Sequence, residues 1–102
     1  EANPKNNPLV LTITPLFRYF LNLLPYHYQK KTTPNTQEMA RLLGVHPFFM
    51  KDYIDGGKIY NAMKCATTIS LLREYDMKSK GVGNANISDG ELLKELIFKI
   101  MH

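Results

Sequence analysis

Apolar residues recur along the chain at intervals of three and four, which is the period of an amphipathic helix. The first such segment opens at Asn7-Pro8, and one side of it carries Leu9, Ile13, Leu16, Phe17, Phe20 and Leu24. A second apolar stripe on the same segment contains Tyr19, Leu23 and Tyr26. Because a helix that is apolar on two sides must be covered on two sides, we expect this stripe to be central in the fold or reserved for a partner.

Proline and glycine predict interruptions of the helical pattern. Pro15 and Pro25 lie inside the first segment, where each removes a backbone hydrogen bond and clashes with the preceding turn, so we expect a kink or an early end. Gly56-Gly57 is expected to end or fray the third helix. Residues 81–86, which contain Gly81 and Gly83, are expected to form a flexible loop.

A short corner joins the second and third predicted helices. Gly44 directly follows Leu42-Leu43 and is the expected left-handed stop, while Pro47 suits the first position of the next helix. Val45 and Met50 have the spacing of a hydrophobic staple around a cap at His46. The sequence thus predicts a helix-turn-helix-like corner at residues 36–56.

Two further helices complete the pattern. Asn61 is expected to cap the fourth, and Ser88 with Glu91 forms a capping box for the fifth. The expected inner stripes are Ala62, Cys65, Ala66, Ile69 and Leu72 in the fourth helix, and Leu93, Leu96, Ile97 and Ile100 in the fifth. The fourth stripe continues onto Asp76, which we expect to be a structural carboxylate held by hydrogen bonds or by a lysine such as Lys80 at i+4. The predicted fold is all-α, a single compact bundle of about five helices over residues 8–102.

Composition narrows the class of protein. The 102 residues suit one domain, and residues 1–7 are expected to be a linker from a missing N-terminal region of a larger intracellular protein. A single cysteine, Cys65, excludes an internal disulfide and fits a reducing compartment. The apolar run from Pro8 to Leu24 is broken by polar residues, so we expect no membrane span.

Site chemistry is sparse in the sequence. His27, His46 and His102 have no metal-ligand spacing, and no serine lies in a nucleophile elbow. Neither Gly57-Lys58 nor Gly81-x-Gly83 completes a phosphate-binding motif. We therefore expect no catalytic residue, metal or cofactor, and no enzymatic activity of the chain by itself.

The net charge of +4 leaves DNA binding open as an alternative function. The corner has helix-turn-helix spacing, and Lys51, Lys58 and Lys64 are candidate phosphate contacts. The expected reading helix, however, begins Pro47-Phe48-Phe49-Met50, whose side chains pack rather than recognise base edges.

Three segments carry a resemblance to a known family. Leu43-Gly44-Val45-His46-Pro47-Phe48-Phe49 resembles the C-terminal region of the delta subunit of bacterial DNA polymerase III. Upstream, Asn7-Pro8-Leu9 leading into Leu16-Phe17-Arg18-Tyr19-Phe20 is similar to the first helix of that region. Downstream, Asp76-Met77-Lys78-Ser79-Lys80-Gly81 resembles its D-x-x-x-K-G segment, and the leucine-rich last helix also fits.

This resemblance implies a non-catalytic helical collar domain, which holds delta in the clamp-loader ring that loads the sliding clamp during DNA replication. The implied partners are the delta-prime and gamma/tau subunits, with DNA reached only through the full complex. The implied location is the bacterial cytoplasm at the replisome, without a membrane partner or a small-molecule substrate.

Surplus aromatic and apolar residues are the candidate contacts to these partners. A small bundle cannot cover every apolar stripe, and aromatic residues are enriched at interface hot spots. The alternative is that some of them fill the core of the domain itself. The candidate interface residues are Tyr19, Leu23, Tyr26, Phe49, Tyr53 and Tyr60.

Overall fold

Five α-helices follow one another in the computed structural model, which describes residues 8–33, 35–80 and 88–102. They are α1 (Pro8–Gln29), α2 (Thr36–Leu43), α3 (Met50–Ile59), α4 (Ala62–Ser79) and α5 (Asp89–Met101), with a 3-10 turn at Pro47–Phe49. The described residues contain no strand, so the predicted all-α helical fold is confirmed. The predicted linker at 1–7 and the predicted loop at 81–86 lie outside the described residues.

Contacts within the chain cluster into two units. Among the described residues, one unit contains 8–18, 68–80 and 88–102, and the other contains 19–33 and 35–67. The first unit buries Leu9, Ile13, Thr68, Ile69, Leu72, Tyr75, Leu92, Leu96 and Ile100, while the second buries Phe20, Leu23, Met39, Ala40, Met50, Tyr53 and Cys65. Each set is rich in large apolar side chains, whose removal from water is the main stabilising contribution to folding.

Helix α1 continues through both of its prolines, so it has no early end, and the alternative expectation of a kink stays a prediction. Pro15 and Pro25 cannot donate to the carbonyls four residues earlier, at Leu11 and Leu21. These two residues are 54% and 43% exposed. Their side of the helix faces water, which can bond to the carbonyls that the prolines leave free.

By length and composition alone, α1 also meets the requirement for a membrane-spanning helix, with a mean hydropathy of 1.2 over 18 residues. The part of α1 that belongs to the second unit nevertheless makes specific polar contacts within that unit. Tyr19, Asn22 and His27 each bond to a group in residues 52–60. Such contacts are those of a helix packed in a folded domain, and the expectation of no membrane span stays a prediction.

The buried faces of α4 and α5 are rotated from their predicted positions. In α4 the stripe passes through Thr68 and Tyr75, while Ala66 is exposed. In α5 the buried residues are Leu92, Leu96 and Ile100, at i, i+4 and i+8, whereas Ile97 is 39% exposed. The fifth helix is apolar on more than one side, so apolar spacing alone could not show which of these sides is buried.

Side-chain caps fix the beginnings of three helices. Asn35 Oδ1 accepts from the Glu38 N–H at 3.0 Å, and Asn61 Oδ1 accepts from the Lys64 N–H at 2.8 Å. Ser88 and Glu91 form the reciprocal capping box that begins α5. Each cap satisfies an otherwise unpaired N–H group of the first turn and contributes roughly 1 kcal/mol.

Gly56 and Gly57 do not end α3, contrary to the prediction, because the helix continues to Ile59. They allow two tyrosines of α1 to approach the α3 backbone instead. A Cβ atom on Gly56 would lie 1.8 Å from Tyr19 Oη, and one on Gly57 would lie 2.9 Å from Tyr26 Cε2. The low helix propensity of glycine is therefore offset by packing that no other residue permits.

Asp76 and Lys80 form the expected i,i+4 ion pair, with 3.2 Å between Oδ2 and Nζ. The side chain of Asp76 is 41% exposed and that of Lys80 is 69% exposed. The carboxylate therefore lies at the edge of the stripe rather than inside it. Exposed pairs of this kind are weak because water and salt screen them.

We predict that Gly56→Ala destabilises the chain by about 2–4 kcal/mol, because the new methyl group displaces Tyr19 and breaks its hydrogen bond. Urea unfolding measures the effect. Gly90→Ala is the matched control, since a Cβ there meets only Ser88 Oγ at 4.0 Å. The control should be neutral or stabilise α5 by up to about 1 kcal/mol. Equal effects at the two glycines would contradict the close approach.

Asp76→Ala is expected to cost about 0.5 kcal/mol or less, since it removes only an exposed ion pair. Thermal unfolding at low and at high salt provides the measurement, and the small difference from wild type should vanish at high salt. A loss of several kcal/mol would mean that the carboxylate has a buried structural role.

Candidate partner interface

The corner between α2 and α3 begins with a Schellman motif. Gly44 adopts φ 72° and ψ 30°, the left-handed conformation that glycine accepts without strain. The Gly44 N–H donates to the Arg41 carbonyl at 3.2 Å, and the Val45 N–H donates to the Ala40 carbonyl at 3.0 Å. These two bonds satisfy two of the last four carbonyls of α2 and fix the direction in which the chain leaves it.

A second cap fixes the other side of the corner. His46 Nδ1 accepts from the Phe48 N–H at 2.9 Å, and Pro47 is the first residue of the 3-10 turn. The regular α-helix begins at Met50, so the prediction that it starts at Pro47 is corrected. A 3-10 turn has three residues per turn instead of 3.6, which changes the directions of the first side chains.

The capped corner therefore presents exposed apolar side chains on a backbone that is held in place. Phe48 is 78% exposed and Phe49 is 49% exposed, with their rings edge to face at 5.3 Å. Leu42 at the end of α2 is 57% exposed. We call Leu42, Phe48 and Phe49 the corner patch. Contiguous exposed apolar surface marks sites of contact with other proteins, and aromatic side chains are enriched at such sites.

Cations that flank the corner patch in sequence are already paired. Arg41 Nη2 lies 3.5 Å from Glu38 Oε2, and Lys51 Nζ lies 2.5 Å from Asp55 Oδ2. The hydrogen bond to Asp55 raises the pKa of Lys51, and the same bond lowers the pKa of the Asp55 carboxyl. The corner patch is therefore bordered by internally neutralised charges, which suit an apolar partner better than a phosphate backbone.

Two of the six predicted interface residues form a stacked pair inside the second unit. The Tyr19 and Tyr53 rings lie 4.9 Å apart with 14° between their planes. Tyr19 Oη donates to the Asp52 carbonyl at 2.7 Å, and Tyr53 Oη accepts from Asn22 Nδ2 at 3.1 Å. Tyr53 is only 7% exposed, so it belongs to the core rather than to a free surface.

The remaining candidates are divided between core and surface. Leu23 is 0% exposed and fills the core, contrary to its placement on a surplus stripe. Tyr26 is half-buried beside Gly57. Tyr60, also half-buried, meets the Phe20 ring edge to face at 5.1 Å. Of the six predicted interface residues, Phe49 alone is exposed to solvent. The tyrosines pack mainly in the interior of the second unit.

Burial also changes the acidity of Tyr19. Loss of hydration, followed by the neighbouring Tyr53 and Asp52, raises its pKa to about 12. The neutral hydroxyl is therefore favoured in the folded state, where it donates to the Asp52 carbonyl. The raised pKa therefore reflects the packing of Tyr19 against α3.

Sequence reasoning missed the exposed apolar side of α5. Phe98 is 63% exposed and Met101 is 71% exposed, and the His102 ring lies 4.4 Å from that of Phe98. The regular spacing of Leu92, Leu96 and Ile100 indicates a single buried row. The apolar residues beside that row are then left outside the core. No cluster of potential metal ligands occurs within the described part of the chain.

Comparison of the chain with protein-family models, curated proteins and solved structures gave no match.

Tyr19→Phe is expected to cost about 1 kcal/mol near neutral pH, since it removes the side-chain hydrogen bond from Tyr19 to the Asp52 carbonyl. The folded pKa of about 12 exceeds the ordinary value of 10.0, so this contribution is present below about pH 10 and lost as pH rises toward 12. Urea unfolding between about pH 8 and 11 should show the gap between wild type and variant narrowing. Tyr28→Phe, at an exposed tyrosine, is the control, and a constant gap for Tyr19→Phe would refute the assignment.

Proposed function

We propose that the chain is a non-catalytic oligomerisation domain, the collar of a DNA polymerase III delta subunit that joins it to the other subunits of a bacterial clamp loader. The observation that carries the proposal is the corner patch. Phe48 and Phe49 are held outward by a capped turn within the segment that resembles the delta family. A cytoplasmic location and the partners delta-prime and gamma/tau belong to the same proposal.

Energetics support a protein partner for the corner patch. Docking Phe48 into an apolar pocket would remove one of the largest exposed apolar side chains from water. Its position is fixed before binding by the caps at Gly44 and His46, which reduces the entropy lost on association. Aromatic side chains at fixed positions are the usual centres of interface hot spots.

The alternative, a helix-turn-helix DNA-binding domain, has weaker support. The first turn of the expected reading helix presents Phe48 and Phe49, while Met50 is buried. Lys51 is paired with Asp55. A reading helix normally places arginine, asparagine or glutamine against base edges and leaves nearby cations for phosphates.

The test is co-expression of the chain with delta-prime and gamma/tau from the organism that encodes it, followed by affinity measurement. Phe48→Ser should weaken assembly by roughly 1–4 kcal/mol, because it removes the aromatic anchor. The melting temperature should stay within a few degrees of wild type, since the side chain is largely outside the core. Phe49→Ser is expected to have a smaller effect, because less of that ring is exposed.

Tyr28→Ser is the matched control, because Tyr28 is 70% exposed but lies near the end of α1 rather than at the corner. It should leave assembly unchanged. Duplex DNA is the second ligand in the same experiment. Failure to bind either subunit, together with tight DNA binding that falls steeply with salt, would reject the collar and favour the alternative.

A further inference from the structure

Two separate ranges of the second unit carry lysines and no carboxylate. Residues 19–37 and residues 56–67 contain neither aspartate nor glutamate. All the acidic residues of this unit lie between the two ranges, and they are Glu38, Asp52 and Asp55. The lysines of the two ranges are Lys30, Lys31, Lys58 and Lys64. Negative charge is therefore absent from both ranges, although the unit as a whole contains it.

Contacts within the unit bring the two ranges together. His27 Nε2 donates to the Tyr60 carbonyl at 2.6 Å, and the Lys30 ammonium group donates to His27 Nδ1 at 3.3 Å. A Cβ atom on Gly57 would lie 2.9 Å from Tyr26 Cε2. Each of the four lysines is within four residues of either His27 or Tyr60. The four therefore belong to one end of the unit, where α1 and α3 finish and α4 begins.

The positive charge at this end has no counter-charge within the chain. In the part of the chain that the structure describes, none of the four lysines forms an ion pair, whereas Arg41 and Lys51 of the same unit both do. Asp55, the carboxylate nearest to Lys58 along α3, is bonded to Lys51. Lys64 lies in the first turn of α4, where the positive end of the helix dipole disfavours a cation.

Exposed aliphatic side chains lie directly beside two of these lysines in sequence. Ile59 is 74% exposed and follows Lys58, while Met63 is 79% exposed and precedes Lys64. The link between them is fixed by the bond to the Tyr60 carbonyl and by the Asn61 cap. Uncovered apolar surface and uncompensated positive charge thus occur together on an ordered backbone. We call this surface the lysine end, and it consists of Lys30, Lys31, Lys58, Ile59, Met63 and Lys64.

We infer that the lysine end binds an acidic segment of another protein, in which aspartate or glutamate is interspersed with large apolar residues. The carboxylates of such a segment neutralise the lysines, and its apolar side chains cover Ile59 and Met63. A phosphate backbone satisfies the charge but leaves the two aliphatic side chains without an apolar partner. A second copy of the chain fits worst, because it sets the same four lysines against each other.

This surface is separate from the corner patch. The corner patch precedes α3, whereas Lys58 and Ile59 are the last residues of that helix. Ten residues of α-helix span roughly 15 Å, so the two surfaces are at opposite ends of α3. The inference goes beyond the proposed collar function and does not depend on it.

The experiment titrates the chain with three short synthetic peptides and measures Kd by fluorescence anisotropy at low salt. The first peptide contains aspartate, glutamate, leucine and phenylalanine. The second replaces every carboxylate by its amide, and the third replaces every apolar residue by serine. The first should bind, the third should bind about 10-fold more weakly, and the second should not bind measurably. Salt should weaken binding of the first peptide.

Two substitutions test the surface, and each has a matched control on α5. Lys58→Glu should weaken binding of the first peptide by about 5- to 10-fold, and Met63→Ser by about 3- to 10-fold. Lys94→Glu reverses another exposed lysine that has no ion pair among the described residues, and Met101→Ser removes another exposed methionine. Both controls should leave Kd unchanged. An equal effect of Lys58→Glu and Lys94→Glu would show attraction to net charge alone and overturn the inference.

Other occupants are distinguished by a single-stranded oligonucleotide and by phosphatidylserine-containing vesicles. If either binds more tightly than the first peptide, and Lys58→Glu weakens that binding, the inference of an acidic protein segment is overturned. Failure of the first peptide to bind overturns it as well. If the first peptide binds as expected but delta-prime and gamma/tau do not bind the chain, the collar function fails while this inference stands.

Discussion

The second unit depends on the close approach of two α1 tyrosines to a pair of glycines in α3. Tyr19 reaches the Asp52 carbonyl only because Gly56 has no side chain, and its ring then stacks on Tyr53. His27 Nε2 lies 2.6 Å from the Tyr60 carbonyl, one turn beyond these contacts, so it adds a polar bond at the end of α3. Glycine here lowers the intrinsic helix propensity but makes contacts possible that are worth more than the propensity it costs. The position of α3, and with it the corner patch, follows from this packing.

Local chemistry explains which features the sequence could predict. Gly44, Asn61 and the Ser88–Glu91 box act through residues within a few positions of themselves, so their roles could be inferred without tertiary structure. The five helices likewise follow from apolar spacing and end signals. These are the features for which the sequence pattern alone is sufficient.

The errors have a common physical origin, which is that tertiary contacts override local preference. Pro15, Pro25 and the glycine pair are helix breakers by propensity, yet exposed carbonyls and close packing accommodate them. The sequence predicts aromatic side chains at a partner surface because a helix with two apolar sides has too much apolar surface for a simple core. The neighbouring glycines, which create room for those rings, were the signal that would have placed them inside the second unit. The exposed rings lie instead at Phe48, where a 3-10 turn changes the side-chain direction that a regular helix would give.

A fixed apolar anchor affects recognition through preorganisation. The corner patch has its conformation set by backbone caps, and its flanking cations are paired within the chain, so its binding would depend mainly on apolar area and fit. Because the backbone at Gly44 and His46 is held before any partner arrives, less conformational entropy is lost on association than with a flexible loop. Apolar area alone supplies affinity that many partners could share, so selection among them depends on how well a partner's pocket fits the Phe48 ring.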